Sequence, residues 1–179
     1  AMMADEFVEG LASLGILHQT TLPYSPYQNA KQERFWGQLE SRLMAMLEGR
    51  CAADAVKAAK PADIKGLKEI HARLEAAARE GRIDAFFEAN QEFHRRIQGL
   101  ANNRWLLSVI QDLRKVLKLS RLHSLSLEGR LQQSLEEHRA IMAAFEAGEV
   151  AKAEKFMHDH LLSGREALAK MDGKAVKAA

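Results

Sequence analysis

The stretch ANQEFHRRIQGLA, residues 89–101, sets the frame for the rest of the chain. It reads as helix, and within it Asn90 and His94 stand four residues apart. Residues at that spacing share a helix face, so both side chains reach one point. Phe87, Ile97 and Ala101 fall on the same face as His94, at the offsets of a buried stripe. The imidazole is therefore expected to point inward. Two further histidines repeat the situation. His138 shares its face with Leu131, Leu135, Met142 and Phe145, and His160 shares its face with Ala153, Phe156 and Met157. Three inward imidazoles on three predicted helices organise the second half of the chain.

Outward from there the helical pattern continues. Gln32 to Lys60 reads as one long helix, and Pro61, tolerated in a first turn, opens the next, which Gly81 stops near Glu80. Asp84 is the expected N-cap of the helix that carries Asn90 and His94. A fourth helix, from about Arg104 to Leu122, has Leu106, Ile110, Leu113 and Leu117 as its stripe. After a break at Ser124–Gly129, a fifth runs from about Arg130 to Ala147, where Gly148 ends it. The sixth runs from Glu149 to about Met171, with a frayed tail over 173–179. Before all of these, residues 5–14 suggest a short helix. Residues 18–30, with Pro23 and Pro26 beside Tyr24 and Tyr27, read as loop. No strand pattern or internal repeat is visible. The expected fold is all-α, an antiparallel bundle of about six helices with a loop-rich N-terminal segment.

Composition narrows the function classes. The chain has 179 residues, 47% of them hydrophobic, enough for one sizeable core. A net charge of +2 lacks the concentrated basic face of a dedicated nucleic-acid binder. The single cysteine, Cys51, excludes an internal disulfide and paired-thiolate zinc sites. No run reaches the ~18 apolar residues of a membrane span, and the first residues do not read as a signal peptide. A cytoplasmic protein is the expectation.

Burying an imidazole without a partner costs ~1–3 kcal/mol. Two arrangements relieve that cost. Each histidine can be a core residue satisfied by its own hydrogen bond, or the three can share one polar site. Neutral imidazole suits zinc, nickel, copper or iron, and an oxygen donor can complete the set. Asn90, His94, His138 and His160 offer three nitrogens and an amide oxygen.

The sequences GRIDAFFEANQEFHRRIQGLANNRWLL (81–107) and RLQQSLEEHRAIMAAFEAGEVAKAEKFMHDHLL (130–162) resemble the C-terminal effector-binding domain of FadR-type GntR transcription regulators. That family's pattern is an acidic or amide residue with FH at i,i+3,i+4, then EH on a later helix and a final HL. Here these are Asn90, Phe93-His94, Glu137-His138 and His160-Leu161, with 22 residues from His138 to His160. The resemblance covers about 47–172. It implies a divalent transition metal, zinc or nickel foremost, held by Asn90, His94, His138 and His160. It also implies a small carboxylate effector and a homodimer. Many members carry Asp where this chain has Asn90, a weaker and uncharged donor. Arg121 and Arg114 are candidate cations for the effector, and Asn103 is expected to cap a helix. His18, His71, His123 and His158 match no ligand position.

The first part of the chain reads differently. FVEGLASLGILHQTTLPYSPYQNAKQERFWGQLESRLMAML (7–47) looks like the C-terminal end of a transposase or integrase catalytic domain, with Glu33 at the third carboxylate. That chemistry needs three carboxylates around two metals; the partner aspartates would fall before residue 1. Residues 1–48 are thus expected to be an inactive fragment merging into the first long helix, with the helical sensor domain over 49–172. The family's winged-helix module is not seen, so DNA binding is not expected from this chain alone. The whole is read as a non-enzymatic metal- and organic-acid-binding sensor. Alternatives are a transposase-related strand-transfer remnant, or a metal hydrolase with Glu137 as base.

Overall fold

A computed structural model describes residues 30–127 and 129–175. Side chains are described for 39–114, 125–127 and 129–167. The short helix over 5–14 lies outside them, as does the loop over 18–30 except for Ala30, which opens a helix; Glu33 lies in that helix with its side chain outside the described ones. The chain divides into two units, residues 1–38 and 39–179.

Six helices make up the described residues, with no strand among them: α1 (Ala30–Ala58), α2 (Pro61–Arg79), α3 (Ile83–Leu100), α4 (Arg104–Leu125), α5 (Arg130–Glu146) and α6 (Val150–Ala175). The all-α bundle expected from the sequence is what the chain adopts. Pro61 begins α2, where its missing N–H is one that no helix could have used. The Lys60 amide, just before it, donates to Asp63 Oδ2 at 3.0 Å. Gly81 ends α2 at φ 65° and Gly148 follows α5 at φ 68°, left-handed conformations that glycine adopts without a Cβ penalty. Asn103 caps α4 through its side chain, accepting from the Leu106 amide at 3.1 Å. The cap of α3 is a correction: Arg82, not Asp84, occupies it. The helix starts directly after Gly81, and the Phe86 amide donates to the Arg82 carbonyl at 2.9 Å. Asp84 sits in the first turn, where its charge still favours the helix dipole. The last helix runs three residues into the tail expected at 173–179; Lys and Ala there favour helix and no proline stops it.

The main core joins Phe86, Phe93 and Ile97 of α3 to Leu67 and Leu74 of α2, Ile141 and Phe145 of α5, and Met157 of α6. A second cluster sets Met44, Ala45 and Cys51 of α1 against Ile110 of α4 and Leu161 of α6. Each large side chain buried this way is worth about 1.5–3 kcal/mol relative to exposure. At Gly49 a Cβ would lie 3.1 Å from the Glu154 carbonyl oxygen, so the absence of a side chain sets how closely α1 approaches α6. The three histidines are carried by α3, α5 and α6.

Candidate metal centre

The inward stripes carry their histidines where the periodicity placed them. His94 and His138 are fully buried, His160 is 5% exposed and Asn90 is 8% exposed. One ring nitrogen from each histidine lies within 4.8 Å of the others. The His138 and His160 ring centroids are 4.4 Å apart, and His94 stacks on His160 at 5.3 Å. Phe86 and Phe93 turn their rings edge-on to His138 and close the apolar side.

Each imidazole is fixed through its Nδ1. His94 Nδ1 lies 2.7 Å from Glu48 Oε2, His138 Nδ1 lies 2.7 Å from the Ser134 carbonyl oxygen, and His160 Nδ1 lies 2.7 Å from Glu137 Oε2. A carbonyl or an ionised carboxylate only accepts, so Nδ1 carries a proton in all three rings, and in His94 and His138, which burial keeps neutral, Nε2 keeps its lone pair. Burial holds both interior rings neutral. It pushes His94 down to about 3, against the upward pull of the Glu48 carboxylate. It also holds His138 well below the ordinary histidine value, with His160 and His94 acting in the same direction.

Two consequences follow at the centre. His94 Nε2 is buried with no hydrogen-bond partner among the described residues. His138 Nε2 lies 2.8 Å from Asn90 Oδ1, and with the proton on Nδ1 that contact joins two acceptors. Turning the amide would satisfy it by putting a donor there, but would leave His94 Nε2 as it is. A cation between the donors satisfies both. Ion–ligand bonds of about 2.1 Å span donors up to roughly 4.2 Å apart, so the widest separation here asks for a shift well under one ångström. The residues fit a divalent transition metal.

Around the ligands stand Glu137, which the sequence singled out beside His138, and groups it did not: Glu48, Arg130, Ser134 and Ser163. Glu137 accepts from both terminal nitrogens of Arg130, each at 3.0 Å, and from Ser163 Oγ at 2.6 Å. Burial alone would raise its carboxyl, but His160, Arg130 and Ser163 outweigh burial and bring it down to about 2. Committed to these three, it is not poised as the general base of a hydrolase. Glu48 is 1% exposed. Its signal in the sequence is a charged residue on the stripe of Met44, Cys51 and Ala55; Arg130 and Ser134 similarly share the buried face of His138.

Of the two cations expected for an effector, Arg114 is engaged. Its Nη2 lies 2.6 Å from the Glu48 carboxylate and its Nη1 donates to Gln91 Oε1 at 3.1 Å. The side chain of Arg121 lies outside the described residues, as do those of His18 and His123. His158 sits at the surface beside Asp159, and His71 packs at 6.3 Å from the Phe93 ring and is not one of the three clustered histidines. The Cys51 thiol is pushed up to about 12 by burial and stays protonated. Two clefts, of about 620 and 300 Å³, open between α1 and α6 and share Met46 and His158; neither is lined by the triad. No helix among the described residues is long and apolar enough to cross a membrane.

The FCD domain profile matches residues 41–163, which include all four expected ligands. Among curated proteins none matches the sequence. Among solved structures the fold is similar to that of E. coli McbR/YncC, with a TM-score of 0.68 at 19% identity, covering 93% of this chain and 83% of that one.

Proposed function

The chain belongs to the FCD domain family, the effector-binding regulatory domain of GntR-type regulators, and on that premise we propose that it is a metal-dependent sensor of small organic acids. Asn90, His94, His138 and His160 would hold the ion, zinc or nickel by the chemistry of three neutral imidazoles and one amide oxygen. The observation that carries this reading is the pair of unsatisfied acceptor positions facing the centre, His94 Nε2 and the His138 Nε2–Asn90 Oδ1 contact. A bound divalent ion supplies a Lewis-acidic point to which a carboxylate oxygen can bind. The protein's own part is to keep the three Nε2 lone pairs directed and dry. An effector that binds two states of the bundle unequally would shift their populations.

The role is regulatory and not catalytic, because Glu137, the acid beside His138, is held by Arg130, Ser163 and His160. A homodimer belongs to the same reading. Leu43 and Met46 on α1 and Trp105 and Val109 on α4 are exposed apolar side chains available to it. Residues 1–48 are proposed, on sequence similarity alone, to be a catalytically inactive transposase-like end.

Elemental analysis of purified protein, beside a His138→Ala, His160→Ala double variant, tests the centre. About one metal per chain, lost in the variant, is expected, and small carboxylates should then raise the melting temperature of the loaded protein. No metal in the wild type after loading with zinc or nickel would overturn the reading.

A further inference from the structure

The expected ligands lie on α3, α5 and α6. Neither α1 nor α4 supplies one, yet both reach the centre through a single pair of charges. Glu48 stands on the buried stripe of α1, with its Oε2 2.7 Å from His94 Nδ1. Arg114 of α4 places Nη2 2.6 Å from the same carboxylate. Its Nη1 donates to Gln91 at 3.1 Å. With the Gln98 amide turned to face it, that oxygen accepts from Arg114 Nε at 3.0 Å and Nη2 at 3.2 Å. Gln91 and Gln98 flank His94 on α3, one turn before and one turn after. A planar guanidinium suits this task, because its donors leave in a fixed fork.

The three rings differ in what fixes them. His138 leans on the carbonyl of its own helix, one turn back, which cannot move independently. His160 leans on Glu137 of α5, a helix that already carries a ligand. His94 alone depends on a helix that carries none. The chemistry of the supporting group matters. A carboxylate can only accept, so it holds the proton on Nδ1 and leaves Nε2 bare. A neutral amide in its place could turn its NH2 toward Nδ1, moving the ring proton to Nε2 and covering the lone pair an ion needs.

We propose that Glu48 is a positioning residue of the metal centre, that Arg114 holds it there, and that through this pair occupancy of the centre is tied to α1. The inference rests on the metal reading above and extends it to residues that touch no ion. Loading the centre should then restrain α1 around Glu48, although no ligand comes from that helix.

The test uses the full chain, zinc as probe, and the variants Glu48→Gln and Arg114→Lys. In the metal-free wild type, nitrogen NMR of the His94 ring should show the proton on Nδ1. Chelator competition should show zinc binding weakened roughly 10- to 100-fold in Glu48→Gln, with a smaller loss in Arg114→Lys. Amide hydrogen exchange over residues 45–52 should slow on adding zinc to the wild type, and not in Glu48→Gln. Wild-type affinity in Glu48→Gln, with the His94 proton still on Nδ1, would overturn the proposal while leaving the metal reading intact. A wild type that takes up no zinc removes both. If Glu48→Gln does not fold, Arg114→Lys decides: unchanged zinc affinity and unchanged exchange over 45–52 overturn it.

Discussion

In the metal-free chain, mild acid should destabilise the fold through its buried histidines. His94 is held at about 3 in the folded state, first by burial, whereas an exposed imidazole in the unfolded chain titrates near 6.5. Between those values the unfolded state binds a proton that the folded state refuses. Stability therefore rises with pH across that window and falls as pH drops below about 6.5. At pH 5 the deficit is about 1.5 pH units at about 1.36 kcal/mol each, or about 2 kcal/mol from His94 alone. His138 is displaced in the same direction and adds to it. Glu137 does not interfere. Its folded value of about 2 gives stability that is fully present above about 4.5 and is lost progressively as pH falls from there through 2. For a chain of this size each kcal/mol moves the melting temperature by roughly 2–4 °C. Circular-dichroism melts with a chelator present should show a fall of at least about 4–8 °C between pH 7 and pH 5. Replacing His138 by Leu should reduce the fall. A melting temperature that stays flat from pH 7 to pH 5 would refute the claim that these rings are buried and neutral.

Asn90→Asp should tighten zinc binding, because a unit charge replaces a neutral oxygen 2.8 Å from His138 Nε2. At an effective dielectric near 20 that attraction amounts to several kcal/mol before desolvation, so a gain of at least about tenfold is expected in chelator competition. Equal affinity would mean that Asn90 is not a ligand. Gly49→Val places new atoms where a Cβ already stands 3.1 Å from the Glu154 carbonyl and 3.4 Å from His158 Cβ. Overpacking of this kind costs about 1–3 kcal/mol, a drop of roughly 2–12 °C in melting temperature; an unchanged melt would show that α1 and α6 are not so closely apposed.

Much of the bundle was legible in the sequence because its signals are local. Apolar residues three and four apart define a helix face whatever the helix packs against, and Pro61, Gly81 and Gly148 act on their own backbone. The inward direction of His94, His138 and His160 followed from the same periodicity, since a residue on an apolar stripe must go where the stripe goes. The N-cap of α3 was misread because Asp84 is the better capping residue, while the chain re-enters helix straight after Gly81 and leaves Arg82 at the cap.

What the tertiary structure decided is the company each polar group keeps. Glu48 lies 46 residues before His94, and Arg114 lies 66 residues after Glu48. No periodicity within one helix reports such pairings. The sequence offered Arg114 as a cation facing a ligand, and the fold spends it on Glu48 and Gln91. It offered Glu137 as an acid beside a histidine, and the fold binds it to Arg130 and Ser163 and sets it against the next histidine instead. Helix faces are fixed by short-range geometry and can be read residue by residue. Charges and hydrogen-bond donors must be satisfied once buried, and which partners satisfy them is settled only when separate helices meet.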